Sequence, residues 1–147
     1  MPGGASSLQE TYQDWRLACQ TATPQHICSL SQQQTQQSGQ RILAIELRKD
    51  GNNGLSGNLI LPFGLLLDAG VILQIDDGQK RAPLRFSTCL PAGCVVPLSF
   101  DAEYIAALQS GTVLHVRVQS ADAKELGLSI SLKGFSAGLD RLQALGS

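Results

Sequence analysis

The spacing of four cysteines constrains this chain more than any other feature: eight residues separate Cys19 from Cys28, and four separate Cys89 from Cys94. An even count of four permits three pairings. Zinc sites ordinarily present a C-x2-C or similarly tight knuckle, which neither spacing supplies. A mixed metal site drawing on His26 or His115 and free thiols buried as small hydrophobes are the rival readings. Two local bridges fit better. In Cys89-Leu90-Pro91-Ala92-Gly93-Cys94 the proline fixes one φ and the glycine admits a positive one, so the chain can reverse within four residues and reach bridging distance. Between Cys19 and Cys28 lies a polar turn containing Pro24, between strand-like flanks. Bridges closing such short loops stabilise by ~2–3 kcal/mol each in the chain-entropy model.

Disulfides persist in oxidising compartments. The chain is therefore expected to be periplasmic, outer-membrane-associated or secreted. Residues Met1–Ser7 carry neither a positive n-region nor an apolar h-region. Read with the cysteines, they point to a mature form whose targeting segment has been removed.

A length of 147 residues suits one domain with its own core. The net charge of −1, from 11 basic and 12 acidic residues, argues against a nucleic-acid binder, which needs a basic stripe to displace counterions. It argues equally against an electrostatically held membrane-surface protein. With 43% hydrophobic and only 16% charged residues the chain is too apolar for disorder. Residues 1–12, small and polar, are expected to be a disordered N-terminal segment, and residues 13–145 a single β-sandwich domain.

Period-2 alternation recurs along the chain. Leu43, Ile45 and Leu47 form one apolar face, followed by an Asp50–Gly54 hairpin signal. A further strand is expected near Asn58–Pro62. Val71, Leu73 and Ile75 alternate up to Asp76-Asp77-Gly78, an acidic pair best explained by turn chemistry, and a return through Leu84, Phe86 and Thr88 leads to Cys89. Cys94–Leu98 is expected to be the next strand. Leu114, Val116 and Val118 share a face opposite His115 and Arg117, and Leu126, Leu128, Ile130 and Leu132 alternate with Ser129, Ser131 and Lys133. With the flanks near Trp15 and Ile27, eight to nine antiparallel strands are expected, at the spacing of a sandwich. Asp101 is a natural N-cap for a helix stapled by Phe100 and Ile105 and ended by Gly111. Leu139, Leu142 and Leu145 mark a second helix. Both are expected to cap open ends of the sheets.

Several segments admit a functional reading beside a bland one. The Gln-rich stretch Ser31–Gln40 reads as a strand end running into a solvated loop rather than a partner-binding tract. Leu59–Leu67 is too short for a bilayer, which needs about 20 residues. Its default is core burial, its alternative an exposed binding patch around Phe63–Leu67. Gly134-Phe135-Ser136-Ala137-Gly138 matches a nucleophile elbow, and Asp140 could supply the acid, but no His follows Ser136. Ser136 fits better as a helix N-cap. No positioned partner makes His115 a general base. No catalytic residue, cofactor site or metal site is assigned.

The residues Asp14-Trp15 followed by Cys19 and Cys28, Leu61-Pro62-Phe63-Gly64 leading to Gly70-Val71, Cys89–Cys94 with its Leu-Pro-Ala-Gly loop, and Gly134-Phe135 with Ala137 occur in a telling order. In these the chain, from about Asp14 to Leu142, resembles the invasion-associated locus B family of exported Gram-negative proteins. The resemblance implies a precursor with a signal peptide, an envelope or secreted location and an immunoglobulin-like β-sandwich. For pathogenic members it also implies a part in host-cell attachment or invasion; it brings no catalytic residues.

The expected function is accordingly a non-enzymatic envelope protein presenting a binding surface to an envelope or host-surface protein. A periplasmic small-ligand carrier or enzyme with a pocket between the sheets, near His115 and Arg117, is the alternative. A structural or chaperone-like module engaging partners through edge strands is the third.

Overall fold

The computed structural model describes residues 7–21, 26–35, 41–51, 54–78, 80–81 and 83–145. Ten strands among them fall into two antiparallel sheets. The larger comprises β1 (Ser7–Tyr12), β2 (Trp15–Thr21), β3 (His26–Thr35), β4 (Arg41–Asp50), β5 (Gly54–Leu61), β7 (Thr88–Leu90) and β8 (Gly93–Phe100), in the order β1-β2-β3-β4-β5-β8-β7. The smaller comprises β6 (Ile72–Ile75), β9 (Val113–Gln119) and β10 (Glu125–Ser131), in the order β10-β9-β6. Helices α1 (Ala102–Ser110) and α2 (Phe135–Leu145) complete the chain. The seven-and-three division differs from the four-and-three Greek key of immunoglobulin constant domains.

The inward faces of β4 and β9 follow the expected alternations, whereas Leu126 at the start of β10 is exposed. Leu43, Ile45 and Leu47 of β4 are buried, as are Leu114, Val116 and Val118 of β9, in one continuous core. Trp15 anchors that core: its ring meets Phe135 edge-on at 5.2 Å, and its Nε1–H donates to the Ser131 carbonyl at 2.8 Å. An indole this deeply buried needs such an acceptor.

Four expectations are corrected. Residues 7–12, expected to be disordered, form β1, paired with β2 from Ser7↔Gln20 to Tyr12↔Trp15. The segment reads as polar because an edge strand buries only one face; Leu8 and Tyr12 pack on the core, Glu10 shares their face, and Gln9 and Thr11 face outward. Residues 1–6 lie outside the described residues, as do residues 22–25 with Pro24, and 36–40 of the Gln-rich stretch. Second, the return after β6 is not a strand over Leu84–Thr88. Among the described residues it bonds Leu73 C=O of β6 through Arg81 N–H and bridges Val71, just before β6, through Leu84, before pairing with β8 begins at Thr88.

Third, α2 lies against β1, β2 and β3 rather than capping a sheet end. Gly138 permits this, because a Cβ there would come within 2.7 Å of a Leu30 methyl. Fourth, α2 begins at Phe135, so Ser136 sits inside the first turn and not before it. The turn into the helix is made by Gly134 at φ 89°, where a side chain would collide with the Tyr12 carbonyl. α1, by contrast, starts as its sequence dictates, with Asp101 Oδ1 accepting the Tyr104 N–H at 2.8 Å.

Candidate functional site

β5 ends at Leu61, which is buried, and Pro62 stops the ladder. Gly64 then turns at φ 88°, and the chain crosses to the small sheet. Ala121 N–H donates to Gly64 C=O at 2.9 Å, and Leu66 N–H to Gln119 C=O at 2.8 Å. A single 3-10 turn, Leu67–Ala69, closes through Gly70 N–H to Leu67 C=O at 3.1 Å. The backbone of this loop is thus held at both ends while its side chains face out. Phe63 is 60% exposed, Leu66 37% and Leu67 46%. Leu65 alone of the group packs against the core.

The Cys89–Cys94 hairpin stands beside this loop. Cys94 is opposite Leu61, and a Cβ on Gly93 would come within 2.5 Å of the Leu61 carbonyl, so glycine is required for the close approach. Leu90 at the hairpin tip is 52% exposed. Leu67 and Thr88 line one small cavity of about 220 Å³ with Asp68 and Arg85, which joins the loop to the hairpin and places charges at the rim. Of six exposed large hydrophobics among the described residues, four (Phe63, Leu66, Leu67 and Leu90) are carried by this loop and hairpin. An apolar patch with a polar rim is the ordinary anatomy of a contact surface.

Both cysteine pairs are bonded. Cys19 lies directly opposite Cys28 across β2 and β3, and Cys89 opposite Cys94 across β7 and β8, with Cα separations of 4.0 and 3.9 Å. The first clip is buried. The second has Cys94 inside and Cys89 at the surface, where it braces the hairpin that carries Leu90.

The remaining candidates disperse. Arg117 is occupied by Gln74 Oε1, at 3.1 and 3.2 Å, and by Glu125 at 3.3 Å. His115 faces Gln74 on one neighbouring strand and Ser129 on the other, with no acid beside it in the register and no side-chain hydrogen bond to Ser129. Ser136 and Asp140 are both exposed one turn apart on α2. Asp76, at φ 50°, accepts the Thr112 and Val113 N–H groups and so pins the start of β9. Among the described residues no three His, Cys, Asp or Glu side chains gather as a metal site, and no helix is long and apolar enough to cross a membrane. The sequence left Leu59–Leu67 open between core and patch; Pro62 and Gly64 were the signal that the run divides there. Leu90 was missed because a lone leucine in a Pro-Gly turn carries no periodicity.

The chain matches the family model for the invasion associated locus B (IalB) protein over residues 15–143. It is 49% identical over 147 residues to an invasion protein B homologue of Brucella abortus (strain 2308), covering 99% of this chain and 84% of that protein. It is 36% identical over 148 residues to invasion protein B of Bartonella bacilliformis, covering 99% and 80%. The crystal structure of invasion associated protein B from Bartonella henselae matches with a TM-score of 0.89 at 35% identity, covering 94% of this chain and 96% of that one.

Proposed function

This chain belongs to the invasion associated locus B family, and from that premise we propose that it is an exported, non-enzymatic binding module. Its contact surface is the apolar end formed by Phe63, Leu66, Leu67 and Leu90. The partner is an envelope or host-surface protein with an apolar patch of its own. The observation that carries the reading is the exposure of these four side chains on backbone that is hydrogen-bonded or disulfide-clipped. A rigid apolar surface loses little conformational entropy on binding. The relatives' names, invasion protein B, fit a role in host-cell attachment.

A photo-crosslinking residue at position 63, in intact cells, is expected to capture the same protein reproducibly. Phe63→Ser combined with Leu67→Ser is expected to weaken that association by at least about 2 kcal/mol, the scale of an interface hot spot. Capture unchanged by the double substitution would refute the surface. Turnover of an envelope-derived ester, glycan or peptide, abolished by one substitution, would refute the non-enzymatic reading.

A further inference from the structure

Arg81 stands apart from the apolar end, on the segment that returns from β6. Its guanidinium carbon lies 4.2 Å from the centre of the Tyr104 ring and 5.7 Å from that of Phe100. The two rings touch each other, with centroids 5.0 Å apart, and both are fixed by the start of α1. A guanidinium stacked in this way holds its N–H fork in a set plane. The ion pairs among the described residues leave that fork without a carboxylate. Carboxylates stand near it but are engaged: Asp101 caps α1, and Asp76 accepts two backbone N–H groups of β9 and its approach.

A second irregularity shares the place. The Tyr104 hydroxyl is buried with no hydrogen-bond partner among the described residues. Burial pushes its pKa up, and the neighbouring Arg81 charge offsets part of that, so it remains a neutral donor. Arg81 and Tyr104 both line a cleft of about 640 Å³ with Asp76, Lys80 and Glu103, beside the start of α1. A rigid guanidinium fork at the edge of a cleft, lacking a carboxylate, is open to one from a ligand.

We propose that this cleft binds a small zwitterion, an amino acid or very short peptide, with its carboxylate on the Arg81 fork and its ammonium group against Glu103. A planar carboxylate matches a guanidinium fork through two parallel bonds. Charge selects against a dianion: Asp76, Asp101 and Glu103 outnumber Lys80 and Arg81 around the cleft, so a phosphate would meet a net negative wall. A monoanion that brings its own cation suits both signs. The site stands whether or not the apolar end docks a protein.

The test is a ¹H–¹⁵N titration of the full chain with glycylglycine, acetate and inorganic phosphate. Glycylglycine is expected to give saturable shifts at the start of α1 and near Arg81, binding about 10-fold more tightly than acetate, with phosphate weakest. Arg81→Lys keeps the charge but loses the fork, and is expected to weaken glycylglycine about 10-fold. Tyr104→Phe keeps the ring under the guanidinium and is expected to bind like the parent, whereas Glu103→Gln is expected to bring glycylglycine to the acetate level. The same spectra report whether each variant is folded, and Glu103, exposed on the helix surface, is a position where substitution leaves the core intact. No saturable shift by about 10 mM glycylglycine, phosphate binding more tightly than glycylglycine, or Arg81→Lys and Glu103→Gln titrating like the parent would overturn the proposal.

Discussion

Glu10 ties the first strand to the last helix. Its carboxylate accepts Arg141 Nε–H at 2.9 Å and Nη2–H at 3.2 Å, and the Tyr12 hydroxyl at 2.6 Å. The Arg141 hydrogen bonds, and after them the Tyr12 hydroxyl, hold its pKa below the usual glutamate value of 4.5. A carboxyl depressed in the folded state stabilises fully above its unfolded pKa, and that stabilisation fades as pH falls through the lower folded value. Urea midpoints measured from about pH 6 downward are therefore expected to decline below about pH 4.5, and Arg141→Met is expected to flatten the decline. An unchanged slope in the variant would show that the pair does not couple β1 to α2. Both side chains are partly solvated, so the effect is modest.

The glutamines of β3 act at the scale of the element. Cys28, Leu30 and Gln32 follow one another along the inward face of the strand, and only the last is polar. Gln32 Nε2 donates to Ser131 C=O at 2.9 Å, its Oε1 accepts the Ser131 N–H at 3.3 Å, and Gln34 Nε2 donates to Ser129 C=O. The amides thereby satisfy the outer edge of β10, which no further strand covers among the described residues. Unpaired edge groups invite pairing with other chains, and side-chain capping blunts that tendency. Gln32→Leu, close in volume, removes the acceptor of the Ser131 N–H and is expected to cost about 1–3 kcal/mol in urea unfolding. It should also speed hydrogen exchange at Ser131. Exchange as slow as in the parent would mean that the amide ladder does not hold the edge. Ser31–Thr35 is a strand end, as expected; the burial of Gln32 was not legible, since glutamine's polarity conceals a hydrogen-bonding role that only a partner strand reveals.

At the scale of the molecule, the two disulfides clip different parts of one sheet: Cys19–Cys28 joins β2 to β3 at a buried position, and Cys89–Cys94 joins the short edge strand β7 to β8. Replacing either pair by serines is expected to lower stability by ~2–3 kcal/mol, the chain-entropy figure for such loops. Alkylation of the unfolded, unreduced protein should add no mass, because every cysteine is bonded. Mass added under those conditions would contradict the pairing, and with it the argument from disulfides to an oxidising compartment. Much of the fold was open to reading from the chain by itself: the cysteine spacings, the alternations in β4, β6, β9 and β10, and the Asp101 cap all depend on neighbours a few residues away, and local patterns record local geometry. The tertiary structure alone decided the rest. Polar residues 7–12 become a strand because Trp15 and its neighbours give them an edge to pair with. Phe63, Leu66 and Leu67 stay at the surface because Pro62 and Gly64 lead the chain off the large sheet. Arg81 meets Tyr104, 23 positions away, because α1 packs beside the return from β6. Such juxtapositions depend on how separate elements pack against a shared core, and no periodicity in the sequence encodes that.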